Sequence, residues 1–162
     1  MDARSSTIPP TQADRVSAWS PEAVLVATVS FSLVADPAGW SRARVNARGG
    51  KVRHFKAPKL EAYQERIANV AKRAMRGGKP IDGALHIRVE FWMAMPPSWS
   101  AKKKGTMRGQ PHAQKPDADN LVKAVCDACN KIVWADDAQI AFIDVRKVWE
   151  SVGVVMVTVE SL

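Results

Sequence analysis

Residues 84–95 read ALHIRVEFWMAM, an alternation that leaves little choice of structure. Leu85, Ile87, Val89, Phe91, Met93 and Met95 fall on one side of an extended chain, and His86, Arg88, Glu90 and Trp92 on the other. Pro96-Pro97 then stops the strand, because proline brings no N–H to a ladder. A strand apolar on one face needs a core to lie on. At 162 residues the chain is long enough to build that core within one domain.

The other elements follow the same rules. From Val24 to Val34, Leu25, Ala27, Val29, Phe31 and Leu33 alternate with Thr28, Ser30 and Ser32, predicting a half-buried strand. Asp36-Pro37-Ala38-Gly39 breaks it. Gly49-Gly50 predicts a hairpin turn into a short basic strand over Lys51 to Phe55. Ala57-Pro58 opens a helix whose apolar stripe is Leu60, Tyr63, Ile67, Val70 and Ala74, and Gly77-Gly78 ends it. A second helix is predicted from about Asp119 to Asn130, with Leu121, Val122, Val125, Cys126 and Cys129 inward. A buried strand over Gln139 to Val145 and a last strand over Val152 to Val159 complete the set. Residues 1–22 hold no sustained period and read as a flexible tail, with Trp19 docking on the body, which leaves 23–162 as the domain.

The longest mostly apolar run, Ala23 to Ala35, is too short for a bilayer span. Asp14 and Glu22 ahead of it argue against a signal peptide. The expectation is a cytoplasmic protein with no membrane partner. Cys126 and Cys129, the two cysteines, lie on the helix stripe and read as packing rather than zinc or redox chemistry. Their rarity fits a reducing compartment.

Charge is where the chain departs from the globular average. The formal net charge is +8, and residues 37–79 carry twelve Lys or Arg against Glu61 and Glu65 alone. Residues 100–116 carry five more with no acid, in a stretch (98–114) that reads as a flexible basic loop. Such a balance points to nucleic acid. The DNA-contacting candidates are Arg42, Arg44 and Arg48 in the first basic region, and Lys102, Lys103, Lys104, Arg108 and Lys115 in the second. Trp40, beside the arginines, reads equally as a stacking group or as an anchor for its loop. His86 reads as a surface residue.

Against this basic background stands an acidic focus in KPDADNLVKAVCDACNKIVWADDAQI, residues 115–140. Asp117 and Asp119 fall where a proline-led loop starts the second helix. Asp136 and Asp137 stand ahead of the strand that follows it. Lys123 shares a helix face with Asp119, and Asp127, four residues further, can pair with it. So many carboxylates suit a hard cation such as Mg²⁺, which takes a few of them and completes its shell with water and phosphate oxygens. The bland alternative makes the acids helix caps and surface ion pairs.

The elements D-x-D-N-x-x-K, at Asp117 to Lys123, and D-D-x-Q-I, at Asp136 to Ile140, resemble the RusA family of Holliday junction resolvases. The element order from Val24 onward follows that family, over about 135 residues. The resemblance implies a small α/β (α+β) fold with a mixed sheet packed against two main helices, and a homodimer. It also implies Mg²⁺-dependent nicking (Mn²⁺ as the alternative ion) of branched, four-way DNA by two symmetry-related sites, in a bacterial or prophage setting. Carried over residue by residue, the metal-binding acids are Asp117, Asp119 and Asp137, the catalytic lysine is Lys123, and Asp136 is a secondary ligand. Asn120 matches a positioning residue. Two other functions stand beside this one: a nucleic-acid-binding module that does not cut, and a nuclease that prefers forks or flaps.

Overall fold

The computed structural model describes residues 27–40, 44–48, 51–55 and 58–162, with the first two short strands of the hairpin given by backbone alone. In chain order the elements are β1 (Thr28–Val34), β2 (Arg44–Arg48), β3 (Lys51–Phe55), α1 (Pro58–Met75), β4 (Leu85–Ala94), α2 (Ala101–Met107), α3 (Ala118–Cys129), β5 (Ile140–Glu150) and β6 (Val154–Ser161). A single 3-10 turn, Asp137–Gln139, precedes β5. The fold is α+β. The expected tail over 1–22, the start of the first predicted strand and the Gly49-Gly50 turn lie outside the described residues.

Four strands form a mixed sheet in the order β1-β6-β4-β5, with β4 parallel to β5 and antiparallel to β6. Strand β2 pairs with β3 as a separate antiparallel hairpin. The alternation of β4 is realised as predicted: Leu85, Ile87, Val89 and Phe91 are essentially inaccessible. Each such apolar side chain contributes roughly 1.5–3 kcal/mol on burial. Helices α1 and α3 supply what they pack against, through Leu60, Tyr63, Ile67 and Ala71 on one and Leu121, Ala124, Val125 and Cys129 on the other. The α1 stripe runs to Ala71 rather than to Ala74, which is only half-buried. Arg76 and Gly77 take positive φ, and Gly78 N–H bonds back to the Met75 carbonyl, so the helix ends where the glycines predict.

Two expectations are corrected. Residues 98–114 are not a flexible loop. Ser100 caps a two-turn helix, accepting from Lys103 N–H at 3.2 Å, and Thr106 Oγ1 donates to the Lys102 carbonyl. The chain then runs beside β5: Gly109 N–H bonds to the Trp149 carbonyl, Trp149 N–H to Gln110, and His112 N–H to Lys147. Gly105 and Gly109 had suggested mobility, but the backbone of 109–112 is tied to a strand edge.

The second correction concerns β5. It is longer than predicted, it lies at the edge of the sheet, and its first half is exposed rather than buried. Ile143 is 48% and Val145 40% accessible although both point to the helix side. The far half is covered: Val148 and Trp149 are buried, and Trp149 packs against the rings of Trp99 and His112.

Candidate active site

The site residues stand on two short structures around α3. Asp117 occupies the N-cap position with extended backbone, yet its side chain makes no cap hydrogen bond. Asp119 lies in the first turn. Neither carboxylate has a hydrogen bond or ion pair among the described residues. Two unpaired anions beside the positive end of a helix form a place prepared for a cation or for donors from outside. The capping alternative therefore fails for Asp117.

Further along the same helix face, Lys123 Nζ lies 3.3 Å from Asp127 Oδ1, as the i, i+4 spacing predicts. Gln64 Nε2, from α1, approaches the other Asp127 oxygen at 3.4 Å. The Lys123 ammonium also stands 5.6 Å from the centre of the Trp40 ring. Trp40 N–H bonds to the Asn120 carbonyl at 2.7 Å, so this tryptophan anchors its segment on the start of α3. Gly39 makes that approach feasible. A Cβ there would meet Pro116 Cβ at 3.0 Å and Asn120 Cβ at 3.4 Å.

The second acid pair is built differently. Asp136 Oδ1 accepts from Ala138 N–H at 2.8 Å and caps the 3-10 turn. Gln139 returns the bond, its Oε1 accepting from Ala135 and Asp136 N–H. Its Nε2 reaches the carbonyls of Ile81 and Gly83, fastening the turn to the chain ahead of β4. Asp137 Oδ1 accepts from the indole N–H of the fully buried Trp134 at 2.7 Å. One Asp137 oxygen remains open.

Asp137 stands beside the C-terminal half of α3, close enough to Cys126 to raise its thiol pKa. Burial is the larger cause of that shift, Asp137 and Asp127 add to it, and the thiol is pushed up to about 12. Burial raises Cys129 as well. Both thiols are protonated and inert at neutral pH, which bears out the packing assignment. Cys126 follows Asp119 by seven residues, about 10 Å of helix rise. Among the described residues no three His, Cys, Asp or Glu side chains are placed to hold a metal ion. The donors fit a divalent cation in type: free carboxylate oxygens on Asp117 and Asp119, and one on Asp137. They do not stand assembled around one point.

The DNA-contact candidates are dispersed. Arg42 and the side chains of Arg44 and Arg48 lie outside the described residues. Lys103 Nζ stacks 4.2 Å from the Trp99 ring centre, Lys104 donates to the Pro97 carbonyl and Arg108 pairs with Glu150. Lys102 and Lys115 have no partner among the described residues. Since α2 follows the end of β4 and Asp137 precedes the start of the parallel β5, the α2 lysines lie a strand length from Asp137. That is on the order of 30 Å at a strand's rise. They stand nearer the Asp117 end. His86, half-buried, bonds to Asp144 on the sheet's open face.

Three contributors escaped the sequence reading: Gln139, Trp134 and Lys147. Asp-x-x-Gln was a legible capping signature for the first. Trp134 had no separate signal. Lys147 did, because it interrupts the inward series Ile143, Val145, Trp149 with a charge. Its Nζ donates to the carbonyls of Gln114 and Pro116 at 2.8 and 2.7 Å.

Fold and residues together define a small α+β domain of basic character, with hard oxygen donors at a helix start and ahead of an edge strand. The profile of the family described as endodeoxyribonuclease RusA matches residues 35–160. The chain belongs to that family of nucleases. It is also 30% identical over 123 residues, 74% of this chain and 86% of the other, to the uncharacterized protein YqaN of Bacillus subtilis (strain 168). No helix among the described residues is long and apolar enough to cross a membrane.

Proposed function

We propose that this protein is a Mg²⁺-dependent, structure-selective endodeoxyribonuclease that resolves Holliday junctions by paired symmetric nicks, working as a homodimer. The observation that carries the proposal is the unpaired Asp117–Asp119 couple in a member of an endodeoxyribonuclease family. Asp117, Asp119 and Asp137 would hold the ion, with Asp136, already engaged as a cap, in a lesser role. The bound ion would make a water nucleophilic at neutral pH and offset charge on the phosphate.

Lys123 supplies the cation for the charge that builds on the phosphate oxygens. Its pairing with Asp127 does not stand in the way. An ion pair this exposed is worth roughly 0.2–1 kcal/mol, which a phosphate can outbid. Lys102, Lys115 and the hairpin arginines would grip the DNA backbone. The exposed edge of β5 supports a dimer, since an uncovered strand edge bearing Ile143 and Val145 is a liability that pairing removes.

One observation favours a second reading, a module that binds DNA without cutting: the acid pairs are not assembled into one cluster. Incubating the protein with a four-way junction, a fork and linear duplex in Mg²⁺ or Mn²⁺ separates these. Junction nicking that Asp119→Asn removes while binding persists supports the proposal. Binding with no nick in either metal favours the module, and preferential fork cutting would move the substrate. Sedimentation of wild type against Ile143→Lys tests the dimer, with a shift to monomer expected.

A further inference from the structure

Between His112 and Asp117 the chain crosses from the edge of β5 to the start of α3. Residues 113–116 make no backbone–backbone hydrogen bond among the described residues. Gln114 N–H bonds to His112 Nδ1 at 3.3 Å, and beyond that local tie one side chain holds the crossing. Lys147 Nζ reaches both the Gln114 and the Pro116 carbonyl. No carboxylate lies within ion-pairing distance of it among the described residues. A half-buried ammonium on the helix side of a strand is therefore balanced by two carbonyl dipoles, which are fixed in turn by where the ammonium stands. Pro116 adjoins Asp117, and its Cβ lies 3.0 Å from where a Cβ on Gly39 would stand, so the clasped point abuts the segment that carries Trp40.

We propose that Lys147 is a positioning residue for the reaction: by clasping the Gln114 and Pro116 carbonyls from β5 it fixes where Asp117 and Asp119 stand relative to the sheet. This rests on the assignment of those acids to the site. Lys147 does not touch the reacting phosphate. Its ammonium transmits the rigidity of an eleven-residue strand to a crossing that has little order of its own. The chain's two basic features thereby differ in kind. The α2 lysines lie on an exposed helix, where Lys104 donates to one carbonyl, that of Pro97, whereas Lys147 faces in and takes two backbone oxygens at once.

The test compares Lys147→Met, which keeps the stem but removes the donors, with Lys147→Arg, which keeps a cation with several N–H groups. In Lys147→Met the two amides whose bonds depend on that placement, Leu121 N–H to the Asp117 carbonyl and Trp40 N–H to the Asn120 carbonyl, are expected to exchange with solvent at least tenfold faster. Cutting at saturating junction should fall at least tenfold, with junction affinity in the absence of divalent metal within threefold of wild type. Lys147→Arg should recover most of the protection and most of the cutting. Unchanged exchange in Lys147→Met would overturn the proposal. So would a loss of affinity as large as the loss of turnover, which marks a DNA contact instead. Should Lys147→Met fail to fold, exchange in Lys147→Arg decides, slow supporting the clasp and fast overturning it. If wild-type protein cuts no junction at all, the functional assignment falls, while the exchange comparison still rules on the clasp.

Discussion

The two acid pairs have the same composition and opposite structural states. Asp136 and Asp137 sit in a turn whose polar groups are engaged with one another, through Ala138 N–H, the Gln139 side chain and the Trp134 indole. Asp117 and Asp119 stand at a helix start with no protein partner described. A carboxylate that completes its own turn stabilises the fold whether or not a ligand arrives. One left beside a like charge is a cost that only an outside partner removes. On the proposed function, the first pair serves shape and the second binding, with Asp137's open oxygen the point where the turn can contribute to both.

The largest effect that would sharpen this contrast lies in the unpaired acids. Asp117→Asn or Asp119→Asn should lower Mg²⁺-dependent junction cutting by about a thousandfold or more, on the scale of removing one preorganised electrostatic group. The melting temperature should stay within a few degrees. The lost helix-end interaction, about 0.3–1 kcal/mol, is offset by relief of repulsion between the pair. A large fall in stability in either variant would break the comparison.

Next comes Gln139→Ala, which removes four hydrogen bonds at once. At about 0.5–1.5 kcal/mol each, less what water recovers at this partly exposed turn, denaturant titration should show a loss of about 2–4 kcal/mol. Cutting should fall only as far as Asp137 is displaced. Asp136→Ala should cost about 1 kcal/mol, the usual value of an N-cap, and should leave measurable cutting. Cutting abolished in this variant would promote Asp136 to an indispensable ligand.

The smallest effect is a pH dependence near the crossing loop. His112 is buried against Trp149, and burial, then the Lys147 charge, holds its pKa below the ordinary 6.5. The unfolded chain therefore binds a proton that the folded chain resists. His112 contributes stability that is present above pH 6.5 and is lost as the pH falls below it. Denaturant titrations from pH 7.5 to 5 should show a slope that His112→Gln reduces.

Much of the fold was legible because it rests on short-range periods. The alternation in 84–95 and the 3.6-residue stripe of α3 specify faces without any knowledge of neighbours. What escaped was decided by tertiary position. Nothing within residues 139–145 says that the strand will be last in its sheet, so an apolar run read as buried is in fact half-exposed. Residues 98–114 looked mobile from Gly105, Gly109 and the lysines, yet Ser100 caps a helix and Trp149 offers a backbone to run along. At the site, the residue types were readable at Asp117, Asp119, Lys123 and Asp137. Which of them already had partners was not: the Trp134 indole, though only three residues away, carries no signal of where it points, and the Ile81 and Gly83 carbonyls reach the turn only through the folded chain.

The burial of Cys126 and Cys129 has a practical consequence. Thiol reagents act on accessible thiolates, and both native sulfurs are enclosed and protonated at neutral pH. A cysteine introduced at exposed Lys102 would therefore be the fast-reacting thiol of the folded chain. A fluorophore placed there could report the approach of DNA without removing either native cysteine from the core.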